Sequence, residues 1–200
     1  MYFNLLVEGY VDEAVGRRIL LGTGHEVGTT FGKKGWTYIE KKIAAFDSSC
    51  AHQWLLTLID CMDTGKDCPV HIVREWVPQC ADKHIFRVVV REIESWILAD
   101  RNGISNFLSV PLAKIPLNPD ALPDPKRTLI NLARTSRAKS IRSNLVPREL
   151  EAATEGPLYS SEMVRFVTDI WDPDAARQNS ASLERCLCRL TELHGLHVEI

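Results

Sequence analysis

Acidic side chains fall in this chain where apolar runs give way to turns. Glu8 closes the run Tyr2 to Val7, Asp60 and Asp63 follow Trp54 to Ile59, and Glu92 and Glu94 follow His84 to Val90. In open parallel sheets, ligands bind beyond the carboxyl ends of the strands, where loops converge and helix N-termini point. Magnesium asks for oxygen donors in octahedral geometry and usually takes one or two carboxylates with phosphate and water. Acids arriving from separate strands would therefore suit Mg2+, or Mn2+ in its place. Two such ions would clamp the attacking and leaving oxygens of a phosphodiester cleavage. The structural alternative is that each acid caps a helix or faces solvent, as single acids at strand ends often do. Three ends in succession on one expected edge favour a site.

Glu92 and Glu94 flank Ile93, so on a strand both would face one way, whereas on a helix they diverge by about 200 degrees. If the strand ends near Arg91, only one of them reaches a metal, and Glu92 is the nearer to the sheet edge. Glu94 and Asp100 have an exposed or capping role as their alternative.

The elements that must position these acids can be read from periodicity. Tyr2 to Val7, Trp54 to Ile59 and His84 to Val90 read as buried strands. Asp12 can cap a helix running to Leu21, and the glycine-rich stretch from Gly22 to Gly35 reads as loop carrying one short strand near Val27 to Phe31. Trp36, Ile39, Ile43 and Phe46 recur at helical spacing, Pro69 suits the first turn of a helix ending near Pro78, and a further helix ends near Asp100. Strand and helix alternation predicts an α/β fold, a mostly parallel sheet flanked by helices, over residues 1–108. Over 109–200 the prolines at 111, 116, 119, 123 and 125 predict an extended connection. A helical extension follows, with helices over 126–144, 160–170 and 180–194 and an edge strand from Leu196 to Ile200.

Lys126, Arg127, Arg134, Arg137, Lys139 and Arg142 put a run of cations on this extension, where Asp124 and Glu149 are the only nearby acids. They could neutralise backbone phosphates of a nucleic acid, or simply form a solvated helix face. Lys126, following Pro125 at a helix start, could also approach the acids and stabilise a pentavalent phosphorus. Other signals carry less. Cys68-x-x-His71 has zinc-finger spacing, but its partner pair, Cys80 and His84, runs into a strand. Cys186 and Cys188, two apart on a helix, face different ways. No phosphate-loop pattern accompanies His25 and its glycines, so any ATP dependence would come from another protein.

The segment VEGYVDE, followed later by Asp60-Cys61-Met62-Asp63, resembles the TOPRIM signature, a glutamate-glycine after the first strand and an aspartate pair after a later one. Topoisomerases, primases, the small RNase of ribosomal RNA maturation and the OLD nucleases share it. With the Cys68-Pro69 dipeptide, VREIESWILADR and DPKRTL at 124–129, the chain more closely resembles the DUF4276 group of bacterial TOPRIM-like proteins. The resemblance covers most of the chain. It implies a metal-dependent nuclease acting on DNA or RNA, often beside an ATPase partner in phage defence. In it Glu8 would be general base or metal ligand, Gly9 the turn that admits a phosphate, and Asp12 a second-site acid. The signature's pair is Asp-x-Asp, whereas one extra residue separates Asp60 from Asp63. Counting back from Cys68-Pro69 makes Asp63 the second aspartate and leaves Cys61 or Asp60 as the first. A displaced ligand admits a second outcome, a catalytically silent subunit that binds or regulates the ATPase.

Composition sets outer bounds. The 200 residues are 45% hydrophobic, enough for a proper core, and carry a formal charge of −2, which argues against a general polyanion binder. An apolar run near 18 residues is lacking, and the N-terminus reads as a strand and not a signal segment, so a cytoplasmic protein without membrane contact is expected. The six cysteines lack the density of a secreted disulfide scaffold. A homo-oligomer is permitted and not required.

Overall fold

The computed structural model describes residues 1–66, 68–148 and 152–198. Among them, β1 (Tyr2–Val7), β2 (Glu26–Gly32), β3 (Trp54–Asp60) and β4 (His84–Val89) form an all-parallel sheet in the order β2-β1-β3-β4. β1, β3 and β4 are nearly continuous apolar runs because both faces of the sheet are covered there, whereas the edge strand β2 is only partly buried. Phe3, Leu5, Val7, Leu56, Leu58, Ile85 and Val89 face one buried cluster, and Leu6, Leu55, Ile59 and Phe86 face another. This alternation is the two-residue period of an extended chain.

Between the strands lie α1 (Tyr10–Gly22), α2 (Trp36–Ser49) and α3 (Pro69–Trp76); α4 (Ile93–Ala99) and α5 (Arg101–Leu108) follow β4. Two 3-10 turns, Leu112–Lys114 and Pro119–Ala121, punctuate the proline-rich connection. Then come α6 (Pro125–Arg134), α7 (Lys139–Leu145), α8 (Tyr159–Asp169), α9 (Pro173–Ala176) and α10 (Ala181–Val198). Helices α2 and α3 cover one face through Ile39, Ile43, Ile72 and Trp76. Helix α1 and the later helices cover the other, where Trp96, Tyr159, Phe166 and Trp171 are at most 1% exposed. No helix among the described residues is long and apolar enough to cross a membrane.

Several boundaries differ from expectation. Helix α1 starts at Tyr10 behind Gly9, so Asp12 is not a cap but a buried residue of the first turn. The helix expected over 126–144 is two, broken at Thr135 to Ala138. There the Thr135 hydroxyl donates to Leu132 O (3.0 Å) and the Ala138 amide donates to Ser136 Oγ (3.0 Å). Such short-range bonds compete with the helical ladder. Asp100 ends one helix and caps the next, accepting from Gly103 N at 2.9 Å and Asp172 N at 3.1 Å. The edge strand expected from Leu196 does not form over the described residues, because α10 continues to Val198; residues 199 and 200 lie outside them.

The strand order fixes where a site can be. From β1 the chain goes one way to β2 and the other way to β3, so the crevice between those two crossovers opens beyond the carboxyl ends of β1 and β3. Gly32 is needed beside it. It has φ +90°, and a Cβ there would lie 2.2 Å from Val7 O, the carbonyl that accepts from Lys33 N at 2.8 Å.

Candidate metal centre

At that crevice Glu8, Asp12, Asp60, Asp63, Glu92 and Glu94 line one cavity of about 300 Å³, together with Lys126 and Tyr159. Glu8 leaves β1, and its Oε1 accepts from Asp60 N at 2.7 Å, which ties the ends of the two central strands together. Asp12 enters from the first turn of α1. The segment after Asp60 is bonded to the segment after β4, with Cys61 N donating to Val89 O (3.0 Å) and Met62 N to Arg91 O (3.1 Å). Asp63, three residues past the end of β3, lines the same cavity as Glu92.

Both Glu92 and Glu94 reach the cavity, although one alone was expected to. Glu92 is the extended residue before α4 (φ −134°, ψ 160°) and Glu94 belongs to the helix's first turn, so the change from extended to helical backbone turns the two side chains to one side. Of the two candidates for the first aspartate, Asp60 lines the cavity. Cys61 belongs to the apolar cluster on the other face, its Sγ donating to Lys66 O. Gly9 has extended backbone that any residue adopts, so its smallness matters for space. A Cβ there would lie 3.1 Å from Asp12 Oδ2.

Crowding buried acids raises their proton affinity. Burial pushes Glu8 up to about 8 and Asp12 to about 6, each with help from Asp63; the amide of Asp60 pulls Glu8 the other way, and those of Asp12 and Gly9 pull Asp12. Asp60 is held well above the usual carboxylate range by burial and then by Asp12, Glu8 and Glu94. Burial likewise lifts Glu92 and Glu94 to about 7 and raises Asp63. Asp12 Oδ1 and Asp60 Oδ1 are buried and find no hydrogen-bond partner among the described residues. An all-oxygen donor set that repels itself and keeps two bare oxygens suits a hard divalent cation.

Cations from the second half meet these acids. The amide of Lys126, on the first turn of α6, donates to Glu92 Oε2 at 2.9 Å; its ammonium pairs with Glu155 Oε2 (2.5 Å) and lies 4.9 Å from the Tyr159 ring centre. Burial works against its charge, yet Glu155, Glu94 and Glu92 raise its pKa above that of ordinary lysine. Glu92 and Lys126 also line a neighbouring cleft with Arg127 and Arg134. Arg137 and Lys139 are exposed and line neither cavity, and the Arg142 guanidinium donates to Ser136 O. The basic stretch is thus split, with its first turns at the site.

Tyr159 is the residue that sequence reasoning missed. Its hydroxyl donates to Glu94 Oε1 at 2.9 Å, and it is 1% exposed. Nothing in its neighbourhood along the chain marks it, because its partners lie 65 and 33 positions away.

A second group, Asp47, Cys80 and His84, could also hold a metal ion, its donor atoms lying within 4.8 Å of one another. It sits at the opposite end of the sheet, since His84 opens β4 beside Leu55 whereas Val89 closes it beside Asp60. Compared with protein families, with curated proteins and with solved structures, the chain finds no significant match.

Proposed function

We propose that this chain is a metal-dependent nuclease of the TOPRIM type, hydrolysing phosphodiester bonds of DNA or RNA with Mg2+ or Mn2+. The observation that carries the reading is the convergence of six acids from β1, α1, β3 and α4 on one cavity at the crossover point, with two buried oxygens bare. Glu8, Asp12, Asp60 and Asp63 would hold the cation, with Glu92 and Glu94 on the α4 side. Bound there, the ion would supply positive charge to phosphate oxygens and an acidified water.

The chain's own groups divide the remaining work. Lys126 keeps a positive charge beside Glu92, Glu94 and Glu155, and would there offset the charge that grows on a phosphoryl group. Glu92, which lines both cavities, would be placed to take a proton from an attacking water. Tyr159 keeps Glu94 in place by its hydroxyl. Arg127 and Arg134 line the adjoining cleft with Glu92 and Lys126, and would there take further phosphates of a bound strand. An ATPase partner in phage defence remains part of this proposal through the TOPRIM resemblance.

A silent, partner-binding subunit is the second reading, and one bond favours it: Glu8 spends Oε1 on the Asp60 amide, a structural tie. Plasmid DNA and structured RNA incubated with purified chain in Mg2+ or Mn2+ separate the two. The nuclease cuts, and Glu8→Gln, which retains an acceptor for that amide, does not. Intact substrate with both proteins supports the silent subunit.

A further inference from the structure

The group at the other end of the sheet offers different donors from those of the carboxylate cavity. We propose that Asp47, Cys80 and His84 form a zinc site, independent of the phosphodiester site, that pins the end of α2 to the start of β4. Thiolate, imidazole and carboxylate together select zinc or a similar transition metal over magnesium, which wants oxygen alone.

The geometry is prepared. Asp47 lies on the last turn of α2, Cys80 on the loop after α3, and His84 at the first position of β4, so the ligands join three elements. His84 Nδ1 lies 2.7 Å from Asp47 Oδ1, and its Nε2 lies 2.8 Å from the Thr57 hydroxyl on β3. A donor Nε2–H held by Thr57 leaves Nδ1 as the ligand atom, the outer hydrogen bond that metal-binding histidines characteristically keep. Asp47 Oδ1 also accepts from Ala81 N at 3.0 Å, which fixes the carboxylate against the loop bearing Cys80. Cys50, one helical turn from Asp47, is turned away into the apolar cluster, its Sγ donating to Phe46 O at 3.3 Å, so the protein supplies three donors and water completes the shell.

Metal-free, the neutral His84 ring carries one proton, donated from Nδ1 to Asp47 Oδ1, and Cys80 is a thiol. A divalent cation moves the ring proton to Nε2, facing Thr57, and displaces only the thiol proton to solvent. Entry is open, because Cys80 is exposed while His84 is 4% exposed behind it. The spacing hides the site from sequence reading: Cys80 and His84 are four apart, but Asp47 comes from a helix more than thirty positions earlier.

Cobalt is the probe that tests this, because thiolate bound to Co2+ gives a charge-transfer band in the near ultraviolet that carboxylate sites do not. Metal-stripped full-length chain is titrated with Co2+ and then with Zn2+. The wild type and Glu8→Gln are expected to show the same band, saturating at one ion and erased by Zn2+. Cys80→Ser, a change at an exposed position, should remove the band and weaken Zn2+ binding by at least about tenfold, no less than a supporting hydrogen bond's loss. Cys188→Ser, on α10, should leave the band unchanged. A wild type without the band, or a band of equal strength in Cys80→Ser, overturns the proposal. Failure of Glu8→Gln to affect cleavage would count against the nuclease alone.

Discussion

Replacing Glu94 by glutamine should stabilise the metal-free protein, and by an amount that depends on pH. Glu94 is 5% exposed, and burial outweighs the pull of Lys126 and the Tyr159 hydroxyl, so its pKa stands at about 7 against 4.5 for the free side chain. The folded chain therefore keeps this proton to higher pH than the unfolded chain does. Stability is lost as pH rises from about 4.5 through about 7, and the loss is complete above that. The step corresponds to about 3 kcal/mol at pH 8 and about 1 kcal/mol at pH 5. Glutamine has the same shape and its amide oxygen still accepts from Tyr159, so Glu94→Gln removes the charge while keeping the contact. Urea or thermal unfolding in chelator, followed by circular dichroism, should find the variant about 3 kcal/mol more stable at pH 8, about 6–12 °C in Tm for a chain of this size. By pH 5 the gap should shrink to about 1 kcal/mol. A variant no more stable than wild type at pH 8, or a gap of the same size at both pH values, would show that Glu94 is not charged against its will, and the crowding argument would fall with it.

Two further outcomes follow from the same geometry. Gly32→Ala must relieve both a left-handed backbone and a Cβ approach of 2.2 Å to Val7 O, so its urea midpoint should report a loss of more than about 2 kcal/mol, and cleavage should fall further than stability because Glu8 is the next residue of β1's edge. In a Glu8→Gln background, Arg127→Ala and Arg134→Ala should each weaken nucleic-acid binding evenly across sequences and flatten the slope of log affinity on log salt by about 1, measured by fluorescence anisotropy; an unchanged slope would remove those cations from the interface.

The sheet was largely legible in the sequence because its central strands are buried on both faces and so are written as apolar runs closed by acids. Trp54 to Ile59 and His84 to Val90 were placed to within a residue of β3 and β4. β2 was less distinct, being an edge strand of glycine and threonine with half-buried side chains, and it extends one residue beyond Val27 to Phe31 at each end. Helix α5 was not anticipated, since Asp100 reads as a stop and serves as both stop and start. Glu8, Asp60 and Glu92 were legible because they close or closely follow apolar strands, whereas Asp12 and Glu94 enter from the first turns of α1 and α4. Tyr159, the pairing of Lys126 with Glu155, and the meeting of Asp47 with His84 were not, because they depend on how distant elements dock, which leaves no local pattern.

The cavity draws acids from the first half of the chain, but its lysine and its tyrosine come at positions 126 and 159. During synthesis, the N-terminal half emerges and begins to fold first. For that interval the crevice acids lack both Lys126 and Tyr159, and a polypeptide released early would carry Glu92 and Glu94 without the amide and the hydroxyl that bond them in the whole fold.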